Sequence, residues 1–204
     1  MTRRVLTLIA AIALSASLVT AHAAQPAGRD INVHVERDGN AFAVNADFTV
    51  AASADEVWAV LTDFEHMAQI LSNVDASQIA NRDGNRFEVI QKSHSAAGLL
   101  RISLDSIRQV ELLPKQEIRS HLLKGDLKSS DFTTRIAEDG GVVKISVQGK
   151  FVASGLSAAA ITPDTVESQT RRQYEELRDE ILRRKTHEPP PPCLLAKNCT
   201  QRSS

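Results

Sequence analysis

The stretch SADEVWAVLTDFEHMAQIL, residues 53–71, contains two patterns typical of helix starts within one amphipathic segment. Ser53 precedes Glu56, and Thr62 precedes Glu65, each at the three-residue spacing of a capping box. In a capping box the hydroxyl accepts a backbone N–H, and the glutamate reaches back to the capping residue. We therefore expect a helix that begins at Ser53, breaks near Thr62 and starts again. One continuous helix is the alternative.

Alternating apolar and polar residues on both sides of this stretch predict β-strands. Two alternating runs, residues 31–35 and 42–50, flank Asp38-Gly39, a dipeptide typical of tight hairpins. Alternation returns after the helical stretch in about six further strands, with a single run over residues 99–113. The last strand places four apolar residues on one face: Val143, Ile145, Val147 and Phe151. One-sided alternation is typical of an antiparallel sheet with a single buried face.

A long helix is predicted at the end of the folded region, over residues 162–185. Thr162 suits the N-cap, and Pro163 suits the first helical position. The helix should contain roughly 20 residues and extend about 30 Å. Strands segregated from helices indicate an α+β fold class. A curved antiparallel sheet wrapped around this C-terminal helix, with the two short helices after the early strand, would bury the apolar face.

The N-terminal segment has the pattern of an export signal. Residues 1–23 begin with a charged region, continue as an apolar run and end in a small-x-small motif at Ala23. A retained membrane anchor is the alternative, although the run is short against the roughly 20 residues that a bilayer requires. We expect cleavage near Ala23 and a periplasmic or secreted protein. Residues 24–185 then form one domain, and residues 186–204 form a tail.

The tail contains a four-proline run followed by the only two cysteines of the chain, Cys193 and Cys199. Because an exported chain enters an oxidising compartment, a disulfide between them is the favoured interpretation. A metal site is less favoured, since no histidine follows at zinc spacing. Two free thiols are the third alternative.

The charge balance and motifs exclude several function classes. With 24 basic and 25 acidic residues and only 4% aromatic residues, the chain does not indicate a nucleic-acid surface. No Ser-His-Asp order, HExxH helix, phosphate-binding glycine loop or metal-ligand cluster occurs. We therefore predict no catalytic residues, metal or cofactor. Three histidines of the folded region are candidates for catalysis: His66, His94 and His121, with Asp63, Glu65 and Asp131 as possible carboxylate partners. We interpret each of these histidines as solvent-facing.

The segment VWAVLTDFEHM, residues 57–67, together with the order of elements, resembles the START-like, or helix-grip, superfamily. The similarity is to its polyketide cyclase and coenzyme-Q-binding branch, and it covers about residues 31–185. Further matching segments are NRDGNRFEVIQKSHSAAGLL, KGDLKSSDF and LRDEILRRK. The chain departs from the family at LSNV, where relatives often have a proline, and at SSDF, where many have a tryptophan. The resemblance implies a cavity between sheet and helix that holds lipids, quinones or polyketides.

The resemblance implies that residues 24–185 bind a hydrophobic small molecule or lipid, such as a quinone or isoprenoid. Because no catalytic motif is found, we expect that the ligand is not transformed. It also allows a transient contact with a membrane. A cyclase- or dehydratase-like enzyme acting in the same cavity is the first alternative, and a ligand-free interaction module is the second. The candidate ligand-binding residues are Phe64, Met67, Ile70, Phe151, Tyr174 and Leu177. For those on helices, plain core packing is the competing interpretation.

Overall fold

Nine antiparallel strands form one sheet in the computed structural model, which describes residues 31–97, 100–155 and 157–187. The strands are β1 (Asn32–Asp38), β2 (Ala41–Val50), β3 (Val74–Asp83), β4 (Arg86–Ala97), β5 (Leu100–Ser103), β6 (Ser106–Leu113), β7 (Glu117–Gly125), β8 (Ser129–Asp139) and β9 (Val142–Val152). Their order across the sheet is β1-β2-β9-β8-β7-β6-β4-β3, and β5 pairs with β4. Gly39 and Gly84, both at positive φ, lie in the predicted hairpin turns.

The described residues also form four α-helices and one 3-10 turn. They are α1 (Ala54–Leu61), a 3-10 turn (Phe64–His66), α2 (Met67–Ile70), α3 (Ser157–Ala160) and α4 (Pro163–His187). Helix α4 begins at the predicted proline but has 25 residues, more than expected. The predicted α+β class is confirmed, because the sheet packs against this long C-terminal helix and short helices follow β2.

The helix break that the opening stretch predicted is present, but only one of its two capping boxes forms. Ser53 and Glu56 make the complete reciprocal box at the start of α1. The prediction of a second box at Thr62 and Glu65 is wrong. The Thr62 hydroxyl donates back to the Trp58 carbonyl at 2.8 Å and so ends α1, and the following turn has no side-chain cap.

The predicted single strand over residues 99–113 is also wrong, since the chain bends between β5 and β6. At the bend, the Leu104 N–H donates to the Ser93 carbonyl at 2.8 Å, and the Asp105 N–H donates to an Asp126 carboxylate oxygen at 2.7 Å. These contacts come from β4 and from the connection after β7. The alternation of the sequence continues through the bend, so the pattern alone does not reveal it.

The packed core occupies the region between α1, the inner face of β2 and β9, and the C-terminal half of α4. Val57, Val60, Val143, Ile145 and Ile181 are fully buried there. Burial of such side chains stabilises the fold by roughly 25 cal/mol for each Å² of apolar surface removed from water. The core therefore holds one end of α4 firmly to the sheet and leaves the space beneath the other end less filled.

The predicted signal segment and both cysteines lie outside the described residues, so the cleavage site and the disulfide stay predictions. Helix α4 continues to His187, two residues past the predicted domain boundary. Within the described ranges, no helix combines the length and apolar character needed to cross a bilayer.

Candidate functional site

Two adjoining cavities lie between the inner face of the sheet and the N-terminal half of α4. The apolar cavity, of about 220 Å³, is bordered by Phe151, Ile161 and Val166 and presents a mainly apolar surface. The mixed cavity, of about 310 Å³, is bordered by Ser120 and Tyr174 and presents polar and apolar surface in similar amounts. The two share one wall, formed by Leu104, Arg108, Leu127, Phe132 and Gln173.

The cavities exist because the inner face of the sheet carries small side chains beneath this part of α4. Four inward positions of β4, β7 and β8 carry a serine or threonine, namely Ser93, Ser120, Ser130 and Thr134. The corresponding inward positions of β2 and β9 carry mainly valine, isoleucine or phenylalanine. Because side chains alternate across a strand, each of these small residues faces the helix. The space between sheet and helix is therefore too large for the side chains that line it.

Arg108 is the main charged group on the shared wall. Its Nε donates to the Ser120 hydroxyl at 3.1 Å, and its two terminal nitrogens donate to the Ser130 hydroxyl at 2.7 and 3.3 Å. Burial lowers the pKa of Arg108, and the more distant Asp131 opposes that effect. A guanidinium nevertheless stays charged in a protein. The cavity wall thus contains a fixed positive charge held by two neutral hydroxyls.

Tyr174 forms the border between the mixed cavity and the packed core. Its ring stacks on Phe48 with 5.3 Å between the ring centroids. Burial raises the pKa of the Tyr174 phenol well above its usual range. The side chain therefore remains neutral at physiological pH and presents an apolar ring with one hydroxyl to the cavity.

A groove on the outer surface adjoins the apolar cavity. Asn73, Gln169 and Gln173 line both spaces, together with His94 and Glu176 on the groove side. The Gln169 amide is held in place, because it accepts the Ser95 hydroxyl at 2.6 Å and donates to the His94 carbonyl at 3.2 Å. The buried Asn73 amide oxygen has no hydrogen-bond donor among the described residues. Three amide side chains therefore separate the apolar cavity from solvent on this side.

Two of the six predicted ligand-binding residues line the cavities. Phe151 borders the apolar cavity and stacks on Phe42 at 4.8 Å, and Tyr174 borders the mixed cavity. Phe64, Met67 and Leu177 are instead buried in the packed core. The role of these residues in binding stays a prediction.

Ile70, the sixth predicted residue, lies apart from both cavities. It borders a surface pocket at the far end of α4, beside Asp63, His66 and Glu180. This pocket is rich in ionised side chains and is bounded by Arg183 and Arg184. Its charged lining makes it less suited to an apolar ligand than the space beneath α4.

The histidines considered for catalysis do not line either cavity within the described part of the chain. His66 is 56% exposed and contacts Asp63 at 2.6 Å. Burial acts to raise the pKa of Asp63, but hydrogen bonds with His66 and Arg184 outweigh it, so the pKa is lowered and the carboxylate stays ionised. His121 is 61% exposed and contacts Asp131 on the outer face of the sheet.

His94 differs from the prediction of a solvent-facing side chain. It is only 22% exposed, contacts Asp75 at 3.0 Å and borders the outer groove, because the N-terminal half of α4 covers it. Glu65 lies on the surface. Across the described ranges, no group of three or more His, Cys, Asp or Glu side chains could hold a metal ion.

Arg108 is the residue of the site that the sequence interpretation missed. It is in phase with Val110 and Leu112, both buried on the inner face of β6. An arginine on the apolar phase of a strand is unusual, because charged side chains are rarely buried without partners. That signal could have identified the residue.

Most of the chain matches a known protein family. Residues 41–181 match a family described as polyketide cyclase/dehydrase and lipid transport. No curated protein matches the chain.

Several solved structures share the fold at low sequence identity. The Zhui aromatase/cyclase from a Streptomyces species is 21% identical, with a TM-score of 0.57 over 72% of this chain and 94% of that one. A fragment of a STAR-related lipid transfer protein from Xanthomonas axonopodis is 16% identical, with a TM-score of 0.60 over 78% of this chain and 97% of that one. A START superfamily protein from Mycobacterium smegmatis is 18% identical, with a TM-score of 0.55 over 70% and 95%.

Proposed function

Because the chain belongs to the polyketide cyclase/dehydrase and lipid transport family, we propose that it holds a hydrophobic small molecule or lipid beneath α4 without transforming it. The observation that carries this proposal is the pair of adjoining cavities between sheet and helix. Such concave, partly apolar sites with a few polar groups are typical of small-molecule binding. The unfilled space also argues against a ligand-free interaction module.

The cavity lining supports binding rather than catalysis. General acid–base catalysis requires a group whose pKa lies near the working pH. Among the described lining residues, the ionisable side chains are Arg108, Tyr174 and Asp105. Arg108 stays charged and Tyr174 stays neutral, while Asp105 is exposed at the rim and accepts the Ser103 hydroxyl at 3.3 Å. This set offers polar anchors and no evident proton shuttle.

The size of the space limits the ligand. A volume of about 310 Å³ lies at the lower end of the range of roughly 300–1,000 Å³ seen for small-molecule sites. A small ring system fits one cavity, whereas a medium-length acyl or isoprenoid chain together with its polar head group requires both. The shared wall is then the position of the polar group, and the apolar cavity holds the hydrocarbon.

A cyclase- or dehydratase-like enzyme is the second candidate function. Arg108 and Tyr174 both border the mixed cavity and could polarise a carbonyl group of a bound polyketide. Such an enzyme would convert a ligand that enters the cavity, and a carrier would release it unchanged. Recovery of the added ligand after long incubation separates the two candidates.

We also propose that the protein acts after export, in the periplasm or outside the cell. Support comes from the pattern of residues 1–23 and from the cysteine pair in the tail. N-terminal sequencing of the protein from an exporting host tests this proposal. A mature chain that begins just after Ala23 supports it, and an intact N-terminus contradicts it.

Extraction of the purified protein provides the main test of binding. Wild type, Val166→Trp and Glu175→Trp are each denatured in organic solvent. The molecules that they release are identified by mass spectrometry. The tryptophan at 166 would fill the apolar cavity, whereas residue 175 is exposed on the same helix. We expect a hydrophobic molecule from wild type and Glu175→Trp, and much less from Val166→Trp. An empty wild-type extract, with no thermal shift across lipids and quinones, would contradict the proposal.

A further inference from the structure

Arg108 is held in the cavity wall by two serine hydroxyl groups. Its hydrogen bonds within the described part of the chain all go to Ser120 and Ser130, and Ser130 is only 1% exposed. Among the described residues, no carboxylate forms an ion pair with its guanidinium, and Asp131 acts on it only from a distance. A charge that is half-buried without a counter-ion is unfavourable, because the surrounding protein replaces only part of its hydration.

The same cluster has hydrogen-bond donors that nothing in the described structure uses. A guanidinium has five N–H donors, and three of those of Arg108 are engaged, which leaves two. Both serine oxygens accept a hydrogen bond from Arg108. The hydroxyl protons of Ser120 and Ser130 have no acceptor among the described residues. The Tyr174 hydroxyl, on the wall of the same cavity, also has no protein partner there. The part of the wall around Arg108 thus presents an excess of donors.

Two acidic residues near this cluster, Asp131 and Asp105, do not neutralise it. Asp131 lies on the outer face of β8, where it contacts His121 and is 61% exposed. Asp105 is exposed at the rim of the mixed cavity, and it forms no ion pair with Arg108. The positive charge of the wall therefore faces the empty space.

We propose that the ligand is an anionic amphiphile, whose carboxylate or phosphate oxygens bind Arg108 with Ser120 and Ser130 while its hydrocarbon part occupies the apolar cavity. This inference rests on the proposed binding function and specifies the ligand class. Charge-assisted hydrogen bonds of this kind are among the strongest in proteins. The position of Arg108 on the wall shared by both cavities lets one molecule place its head group there and its tail against Phe151 and Val166.

Three probes that share one hydrocarbon chain test the inference: dodecanoate, dodecyl phosphate and 1-dodecanol. Their affinities are measured by isothermal titration calorimetry on wild type, Arg108→Met, Arg108→Lys and the control Arg135→Gln. Arg135 is a strand arginine on the outer face, paired with Glu117. Melting curves of each variant show whether it is folded at the temperature of the titration.

We expect wild type to bind at least one anion roughly 10- to 100-fold more tightly than 1-dodecanol, as hydrogen bonds to a charged group imply. Arg108→Met should abolish that preference and change 1-dodecanol affinity less than about threefold. Arg108→Lys, which keeps the charge without the planar fork, should retain part of it. Arg135→Gln should behave as wild type. Comparison of the two anions shows whether carboxylate or phosphate is preferred.

Two results would overturn the inference in different ways. Equal binding of alcohol and anions by wild type, or a preference that survives in folded Arg108→Met, would refute the anionic head group and leave the binding function intact. Failure of all three probes to bind wild type, combined with an empty extract, would refute both.

Discussion

The aromatic ring of Phe132 on β8 lies directly over Gly149 on the neighbouring strand β9. The two residues are register partners, and a Cβ placed on Gly149 would come within 2.1 Å of the Phe132 ring. The missing side chain lets the ring lie flat against the sheet. Because Phe132 is part of the wall shared by both cavities, this contact helps to keep the space beneath α4 open.

Gly149→Ala should therefore displace the Phe132 ring toward the cavities. Overpacking of this kind costs about 1–3 kcal/mol of unfolding free energy. We also expect ligand affinity to fall, because the ring would occupy space that the ligand needs. Urea denaturation measures the first effect, and calorimetry with the ligand recovered by extraction measures the second.

The double variant Gly149→Ala/Phe132→Leu is the control for that explanation. The smaller leucine should relieve the clash, so the two substitutions should be coupled by about 0.5–3 kcal/mol. Strict additivity of the two destabilisations would show that the ring is not what the added methyl group meets.

Tyr174 should contribute to stability and ligand binding through its ring and not through ionisation of its hydroxyl. Tyr174→Phe keeps the stack on Phe48, and we expect it to change stability by no more than about 1 kcal/mol. Tyr174→Ala should cost about 2–4 kcal/mol, since it removes a largely buried ring. Because burial raises the phenol pKa, ligand affinity of wild type should not change between pH 7 and pH 9 on account of this residue. Loss of binding over that interval in wild type, but not in Tyr174→Phe, would contradict this account.

The two hydroxyls of the opening helix stretch should differ in importance. Ser53→Ala removes a complete capping box and should cost about 1 kcal/mol. Thr62→Ala removes only a bond back to the Trp58 carbonyl, and we expect a change within about 0.5 kcal/mol. Chemical denaturation of both variants, with equal slopes, gives the comparison. A loss of unfolding free energy for Thr62→Ala as large as that for Ser53→Ala would indicate that Thr62 also forms a capping box.

Glu180 should make stability depend on acid pH. The pKa of Glu180 is lowered from its ordinary 4.5 to about 2. Hydrogen bonds from Arg183 are the main cause and burial opposes them, while hydrogen bonds from Arg184 lower the pKa further. A lowered folded-state pKa stabilises the protein above about pH 4.5, and that contribution is lost as the pH falls toward 2. Glu180→Gln should therefore cost roughly 0.5–1 kcal/mol at pH 7 and progressively less below pH 4.5.

Glu175→Gln is the matched control for the acid dependence. Glu175 is exposed on the same helix and forms no ion pair with a described residue. Its free energy of unfolding should follow that of wild type at each pH. If Glu180→Gln also follows wild type from pH 7 to pH 3, the pair of arginines does not hold the carboxylate.

Local patterns in the sequence predicted most of the fold because they record backbone requirements directly. The Ser53 cap, Pro163 and the turn glycines fix where elements begin and end, and alternation fixes which face of each strand is buried. The bend at Leu104 and Asp105 was missed because bonds from Ser93 and Asp126, both distant in sequence, produce it. Such bonds leave no mark on the local periodicity.

The candidate site was less predictable, since a cavity is a place where side chains are too small. Periodicity identified Leu177 and Met67 as inward-facing, and both do face inward, into packed core. It could not separate core from void, because that depends on the summed volume of residues on several strands. Arg108, by contrast, breaks the apolar phase of β6 and was recognisable from one strand alone.

Methyl NMR spectroscopy of the protein with an added amphiphile tests most directly whether the ligand lies between sheet and α4. Selectively labelled protein is titrated with dodecanoate, with 1-dodecanol as the neutral comparison. We predict chemical-shift changes at Leu104, Leu127 and Val166, which line the cavities, and little change at the buried core residue Ile181. Changes confined to the exposed leucines Leu113, Leu123 and Leu182, or no changes at saturating ligand, would contradict the account.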